Sequence, residues 1–138
     1  ADLRRLDAKT RFTTSVCTGA LVLGAAGLLQ GLEATPHWAY LEALARYGAT
    51  PVSARVVWQG RVVTAAGVSA GIDMALALAA QLAGEDVARG IQLAIEYDPE
   101  PPFHDGHPRS AAPELVERVR SANAARRAAR TAQNQACR

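Results

Sequence analysis

The sequence predicts an α/β sandwich: one domain over residues 1–120, followed by an Ala/Arg-rich helical tail, 121–138. Three observations predict it. A β-branched and aromatic run, residues 11–16, stops at Cys17 and gives way to an Ala/Leu-rich apolar run, residues 20–29. Two further β-branched runs, 53–58 and 61–65, are joined only by Gln59-Gly60, which is the signature of a hairpin. Helix-like segments alternate with these strands, which is the order of a layered α/β fold. In such sheets ligands bind beyond the carboxyl ends of the strands. Cys17 falls at such an end, on a strand expected to be central and parallel.

The elements run in order along the chain. Residues 1–9 form a short amphipathic helix with Leu3 and Leu6 on one side and arginines between them. The strand 11–16 comes next, then Cys17, then a buried helix that Gly31 ends as a C-terminal cap. Glu33-Ala34-Thr35 is extended, and Pro36 stiffens the residues after it. His37-Trp38 opens a helix through Tyr47, closed by Gly48. After the hairpin, Ala65-Ala66-Gly67-Val68 is a small-residue loop. A long buried helix then starts at Ser69 or Ala70 and carries Ile72, Met74, Leu76, Leu78 and Leu82 to Gly84. Another helix spans 85–95. Three prolines at 99, 101 and 102 hold the next segment extended. A last helix spans 113–133.

Composition bounds the function. The chain has 138 residues, 49% hydrophobic and 20% charged, enough for one globular core. A net charge of only +2 argues against a nucleic-acid partner recruited through phosphates. No apolar run is long enough to span a bilayer, and the expectation is a cytoplasmic protein with no membrane partner. Cys17 and Cys137 are too far apart in sequence to suggest a disulfide framework. No metal-ligand spacing and no glycine-rich phosphate loop occurs, so neither a metal nor a cofactor is expected.

Cys17 is the chemical centre. A strand turning sharply into a helix, with Gly19 two residues on, has the pattern of a nucleophile elbow with sulfur in place of oxygen. The helix start favours thiolate, the reactive form. The plain alternative is a small buried hydrophobe. Asp73 reads as a residue that caps or bonds a neighbouring loop rather than one that does chemistry, His104 and His107 as exposed, and Cys137 as incidental.

Five blocks carry a resemblance. They are Val16-Cys17-Thr18-Gly19-Ala20, Ala26-Gly27-Leu28-Leu29, Ala34-Thr35-Pro36-His37-Trp38, the run from Val63 to Asp73, and the run from Ile91 through Tyr97-Asp98-Pro99-Glu100-Pro101-Pro102 to Phe103. In that order they resemble the ThiJ/PfpI superfamily, and the last block resembles its bacterial isocyanide (isonitrile) hydratases. The resemblance implies a flavodoxin-like, glutamine-amidotransferase-like sandwich of which residues 3–120 match the C-terminal part. The family's N-terminal strands, and with them the acidic partner of the nucleophile, have no counterpart here. A homodimer, or a separate N-terminal segment, is expected to complete the sheet.

The resemblance implies hydration of isocyanides to N-substituted formamides, through a covalent thioimidate on Cys17. Thr18 and Gly19 would supply backbone N–H donors to the adduct, and the Thr18 hydroxyl would orient water. Gly67 and Val68 would line the pocket, and His37 would tune the thiol or relay protons; the plainer alternative for His37 is a histidine that holds the start of its helix beside Trp38. Trp38 and Phe103 are candidates for an apolar wall or a dimer contact. Two rival functions stay open: glyoxalase- or deglycase-like action on reactive carbonyls, and a non-catalytic cysteine oxidation sensor. The ligand-sensing half of a transcription regulator is disfavoured, since no DNA-reading helix pair follows Arg120.

Overall fold

A computed structural model describes residues 2–136. The chain divides into two compact units, Ala1–Asp98 and Pro99–Arg138. Helix α1 (Asp2–Asp7) leads into β1 (Thr13–Val16), and α2 (Gly19–Ala25) follows Cys17 at once. Then come β2 (Glu33–Ala34), a 3₁₀ helix (Trp38–Tyr47), β3 (Thr50–Pro51), β4 (Val56–Gln59) and β5 (Val62–Ala65). Helices α3 (Val68–Ala83) and α4 (Glu85–Ala94) complete the first unit. Among the described residues the second unit holds one helix, α5 (Pro113–Ala136), which runs without a break through residue 120.

The main sheet has the order β1-β5-β4. Strand β1 is parallel to β5, with Thr13 opposite Val62 and Val16 opposite Ala65. Strand β5 is antiparallel to β4. The expectation that the strand before Cys17 is central is therefore corrected. All four residues of β5 are buried and it takes the middle, whereas β1 has β5 as its one partner among the described residues. Strand order is set by long-range pairing, which an apolar run does not encode.

Alternation along β5 sends its side chains to two cores. On one face Val62 joins Ala20, Leu23, Leu29, Ala34, Leu44 and Ala49. On the other, Val63 and Ala65 pack with Ala70 and Met74 of α3. Helices thus cover both faces of the sheet. Gly71 permits the close approach of α3 to β1: a Cβ there would stand 2.7 Å from Cγ1 of Val16.

Several element limits differ from the expectation. Helix α2 ends at Ala25, and Gly27 rather than Gly31 stops it. Gly27 has φ +76, its N–H donates to the Gly24 carbonyl at 2.8 Å, and the Leu28 N–H reaches back to Leu23 at 3.0 Å. That is a Schellman ending. The hairpin turn is Gly60-Arg61, because Gln59 still pairs with Val62. Strand β4 begins at Val56, although the Arg55 carbonyl just before it still accepts the Ala66 N–H at 2.9 Å. Strand β3, pairing in parallel with β2, was not anticipated. Helix α3 is buried only over its first turns, at Ala70, Gly71 and Met74; Leu82 is exposed.

Candidate active site at the carboxyl ends of β1 and β5

The site begins with a backbone feature. Cys17 has φ +59, in the left-handed region, where a non-glycine residue costs about 1–2 kcal/mol. This one residue turns the chain from β1 into α2. Its N–H donates to the Ala65 carbonyl at 3.0 Å, so the last bond of the parallel ladder holds the elbow. The thiol is free and partly exposed.

Thr18 precedes α2 in right-handed backbone, and its carbonyl accepts from the Leu21 N–H at 3.0 Å. Its side chain makes no capping hydrogen bond and is exposed, so the helix does not consume the hydroxyl. The start of α2 lies against Ser15. A Cβ on Gly19 would meet the Ser15 Cβ at 3.5 Å. Ser15 is buried, and its Oγ alone among the described buried side-chain polar atoms lacks a partner.

The parallel register brings a second turn to the same edge of the sheet. Strand β5 ends at Ala65, opposite Val16, so Gly67 and Val68 emerge beside Cys17 and start α3. Val68 is 76% exposed, an apolar side chain presented to solvent at that edge. Cys17, Thr18, Gly19, Gly67 and Val68 are thus gathered at one end of β1 and β5.

His37 has a different setting. Its Nδ1 accepts from the Ala39 N–H at 3.2 Å and caps the 3₁₀ helix. The ring lies beside Trp38 and Tyr40, with centroids 5.4 and 6.1 Å away. Burial pushes its pKa below the ordinary value, so it is held neutral, with its proton on Nε2. Nearby, Thr35 ties this segment to the sheet: its N–H donates to Oγ1 of buried Thr64 at 2.9 Å, and its hydroxyl to the Ala54 carbonyl at 3.0 Å. No hydrogen bond joins His37 to Cys17 among the described residues.

A polar cluster behind the Gly67-Val68 turn was only half foreseen. Asp73 bonds neighbouring segments, as its place in the sequence suggested, and its partners are Arg55 and Tyr97. Arg55 Nε pairs with Asp73 Oδ2, and Arg55 Nη2 donates to Ser69 Oγ at 3.1 Å. The Tyr97 hydroxyl donates to Asp73 Oδ1 at 2.6 Å. Desolvation alone would raise the Asp73 pKa, but the hydrogen bonds from Arg55 and Tyr97 outweigh it and hold the carboxyl below its usual value. The same contacts raise Arg55 and Tyr97 above theirs. Arg55 and Tyr97 lie 18 and 24 positions from Asp73, and nothing local announces either.

In the second unit Phe103 is exposed. His104 is exposed as expected, whereas His107 is partly buried, its Nδ1 accepting from the Arg109 N–H at 3.1 Å. That turn withdraws the ring from solvent, and burial together with the nearby Arg109 charge lowers its pKa. Cys137 lies outside the described residues. Among the described residues no three His, Cys, Asp or Glu side chains are grouped to hold a metal ion, and no helix is long and apolar enough to cross a membrane.

The chain has matches among known proteins. Residues 3–81 match the model of the DJ-1/PfpI family. The chain belongs to that family. It is 52% identical over 118 residues to an isonitrile hydratase of Pseudomonas putida, covering 86% of this chain and 52% of the relative. Protein DJ-1 homolog A of Arabidopsis thaliana is 34% identical over 72% of this chain and 26% of that protein. Among solved structures, a ThiJ/PfpI family protein from Pseudomonas syringae superposes with a TM-score of 0.79 at 45% identity, covering 82% of this chain and 47% of that one. The chain therefore spans about half the length of the isonitrile hydratase and of this structural neighbour. The expected family and its α/β fold are both found.

Proposed function

We propose that this DJ-1/PfpI chain carries the nucleophile end of an isocyanide-hydrating site, with Cys17 as the nucleophile. The observation that carries the reading is the left-handed elbow at Cys17, in a chain 52% identical to an isonitrile hydratase. In this scheme Cys17 Sγ bonds the terminal isocyanide carbon, which takes up a proton, leaving R–N=CH–S on the enzyme. Water adds to that carbon. The C–S bond then breaks with its electron pair returning to sulfur, and the N-substituted formamide R–NH–CHO departs. The backbone N–H groups of Thr18 and Gly19, at the open start of α2, face the developing charge. The Thr18 hydroxyl, free of any cap, orients the water. Gly67 and Val68 form the opposite wall. His37 enters through Nε2–H alone, because Nδ1 is engaged at Ala39.

The substrate is a small molecule, no metal or cofactor is required, and the unpaired side of β1 is covered by a second copy or by a separate polypeptide segment. The test follows formamide formation from a small alkyl isocyanide by proton NMR, with intact-mass detection of a Cys17 adduct. Turnover lost in Cys17→Ser supports the proposal. Absence of both formamide and adduct in the unaltered protein overturns it. A second reading rests on the partly exposed free thiol: a cysteine that is oxidised, or that attacks reactive carbonyls. Consumption of methylglyoxal with no action on isocyanides favours the carbonyl branch. Selective Cys17 oxidation with no turnover of either favours the sensor.

A further inference from the structure

The cluster of Arg55, Asp73, Tyr97 and Ser69 has no part in the chemistry above, yet its bonds converge on one turn. The Arg55 carbonyl accepts the Ala66 N–H at 2.9 Å. Its guanidinium reaches Ser69 Oγ at 3.1 Å and pairs with Asp73. One residue thus grips both ends of the turn 66–69, from the sheet side with its backbone and from the helix side with its side chain. Tyr97 fixes the other carboxylate oxygen of Asp73 at 2.6 Å, so Asp73 is held between two donors. The turn so gripped carries Gly67 and Val68, and the Ala65 carbonyl just before it accepts the Cys17 N–H.

The pair is a poor stabiliser of the fold. The Arg55 and Asp73 side chains are 55% and 34% exposed, and ion pairs in that range contribute little to stability. Geometry is what they can supply. An arginine fork engages two acceptors in fixed directions, which a lysine ammonium does not reproduce.

We propose that Arg55 is a positioning residue for the Cys17 site, acting through the turn 66–69, with Asp73 and Tyr97 holding its guanidinium. The proposal rests on the hydration reading for its kinetic assay and on the geometry alone for its second assay. In the kinetic assay Arg55→Met, Asp73→Asn and their double variant are compared on a small alkyl isocyanide, with thermal melts in parallel. The expected result is a fall in kcat of about tenfold in each single variant, since small displacements at a reacting centre are amplified. KM stays within about twofold, the double variant loses no more than the worse single one, and Arg55→Lys does not recover kcat. Unchanged kcat, additive losses, or losses that follow the melting temperature overturn it. If the unaltered protein makes no formamide, the hydration reading fails and the second assay decides. There, alkylation of Cys17 by iodoacetamide is timed in the same variants. A change of several-fold in Arg55→Met supports the clamp, and an unchanged rate overturns it.

Discussion

Both ends of β1 carry a ladder bond, from the Thr13 N–H to the Arg61 carbonyl and from the Cys17 N–H to the Ala65 carbonyl, but the N-terminal end is also held by side-chain hydrogen bonds whereas the C-terminal end carries a strained residue. Near Thr13, Asp7 Oδ1 accepts from the Thr13 hydroxyl at 2.5 Å, and Asp7 Oδ2 pairs with Arg61 from the hairpin turn. Arg61 also donates to the Asp7 carbonyl at 3.1 Å, and Arg4 donates to the Ala26 carbonyl. At the other end Cys17 sits at φ +59 with one ladder bond to Ala65, a Thr18 hydroxyl that makes no cap and a partly exposed thiol. The contrast shows how a strained nucleophile is tolerated. The strand is anchored where no chemistry occurs, so the elbow end is free to present unused donors.

The largest effect that tests this contrast is at the elbow. Cys17→Ser is expected to lower formamide formation by more than about 10³-fold while the circular dichroism spectrum stays unchanged. Cys17→Gly separates strain from chemistry. It is equally inactive, yet it gains about 1 kcal/mol in urea unfolding because glycine accepts φ +59 without penalty. A glycine variant less stable than the parent shows that thiol packing, not strain, dominates there.

The next effect is at the seam between β1 and α3. Alanine at Gly71 improves intrinsic helix propensity by about 1 kcal/mol, but its methyl would stand 2.7 Å from Val16 Cγ1. Valine is stiff at χ1 and cannot swing aside freely. Overpacking of this kind costs about 1–3 kcal/mol, so Gly71→Ala is expected to lose about 1–2 kcal/mol net in urea unfolding. Val16→Ala in the same chain should restore the loss. Failure of that rescue shows that the two elements yield in some other way.

The elbow was legible in the sequence because it is local. A strand run, a cysteine and a helix run succeed one another within some twenty residues, and only one geometry joins them. The hairpin and the helix opening at His37 were legible for the same reason. Features that depend on distant pairing were not. Nothing in residues 11–16 says that their strand has a single partner among the described residues. The short strand β3 bonds through the N–H groups of Thr50 and Val52, which donate to the Leu32 and Ala34 carbonyls on either side of Pro51, and nothing local announces that pairing. The apolar residues of α3 told of a buried helix without telling which turns are covered. The site obeyed the same rule: Cys17, Thr18 and Gly19 were readable together, while Arg55 and Tyr97 meet Asp73 only through the fold.

A smaller effect tests the anchored end. Asp7 is held below the usual carboxylate pKa, chiefly by the Thr13 hydroxyl and then by Arg61, against the opposing push of burial. A carboxylate lowered on folding stabilises the native state fully above its unfolded pKa of about 4. That contribution is lost as the pH falls through the folded value. Asp7→Asn should therefore cost about 1 kcal/mol at neutral pH and flatten the acid limb of the stability curve below about pH 4. Cys17 alkylation should stay unchanged. A slower or faster thiol in this variant shows that the two ends of β1 communicate.

The smallest effect belongs to His37, which lies at neither end but on the segment that Thr35 ties to Thr64. Burial lowers its pKa, so the native state favours the neutral ring. The unfolded chain takes up the proton first as the pH drops. Stability is then full above about pH 6.5 and declines as the pH falls from there to the folded value. Protonation also removes the Nδ1 acceptor that caps the 3₁₀ helix at Ala39. His37→Ala should cost up to about 1 kcal/mol at pH 8, the value of a lost cap, and should abolish the stability slope that sets in as the pH falls below about 6.5. If His37 acts only as a cap, the pH profile of kcat in this variant keeps its shape. If Nε2–H delivers a proton at Cys17, one limb of that profile disappears. The comparison of the stability slope with the kcat limb therefore separates holding the fold from handling the proton.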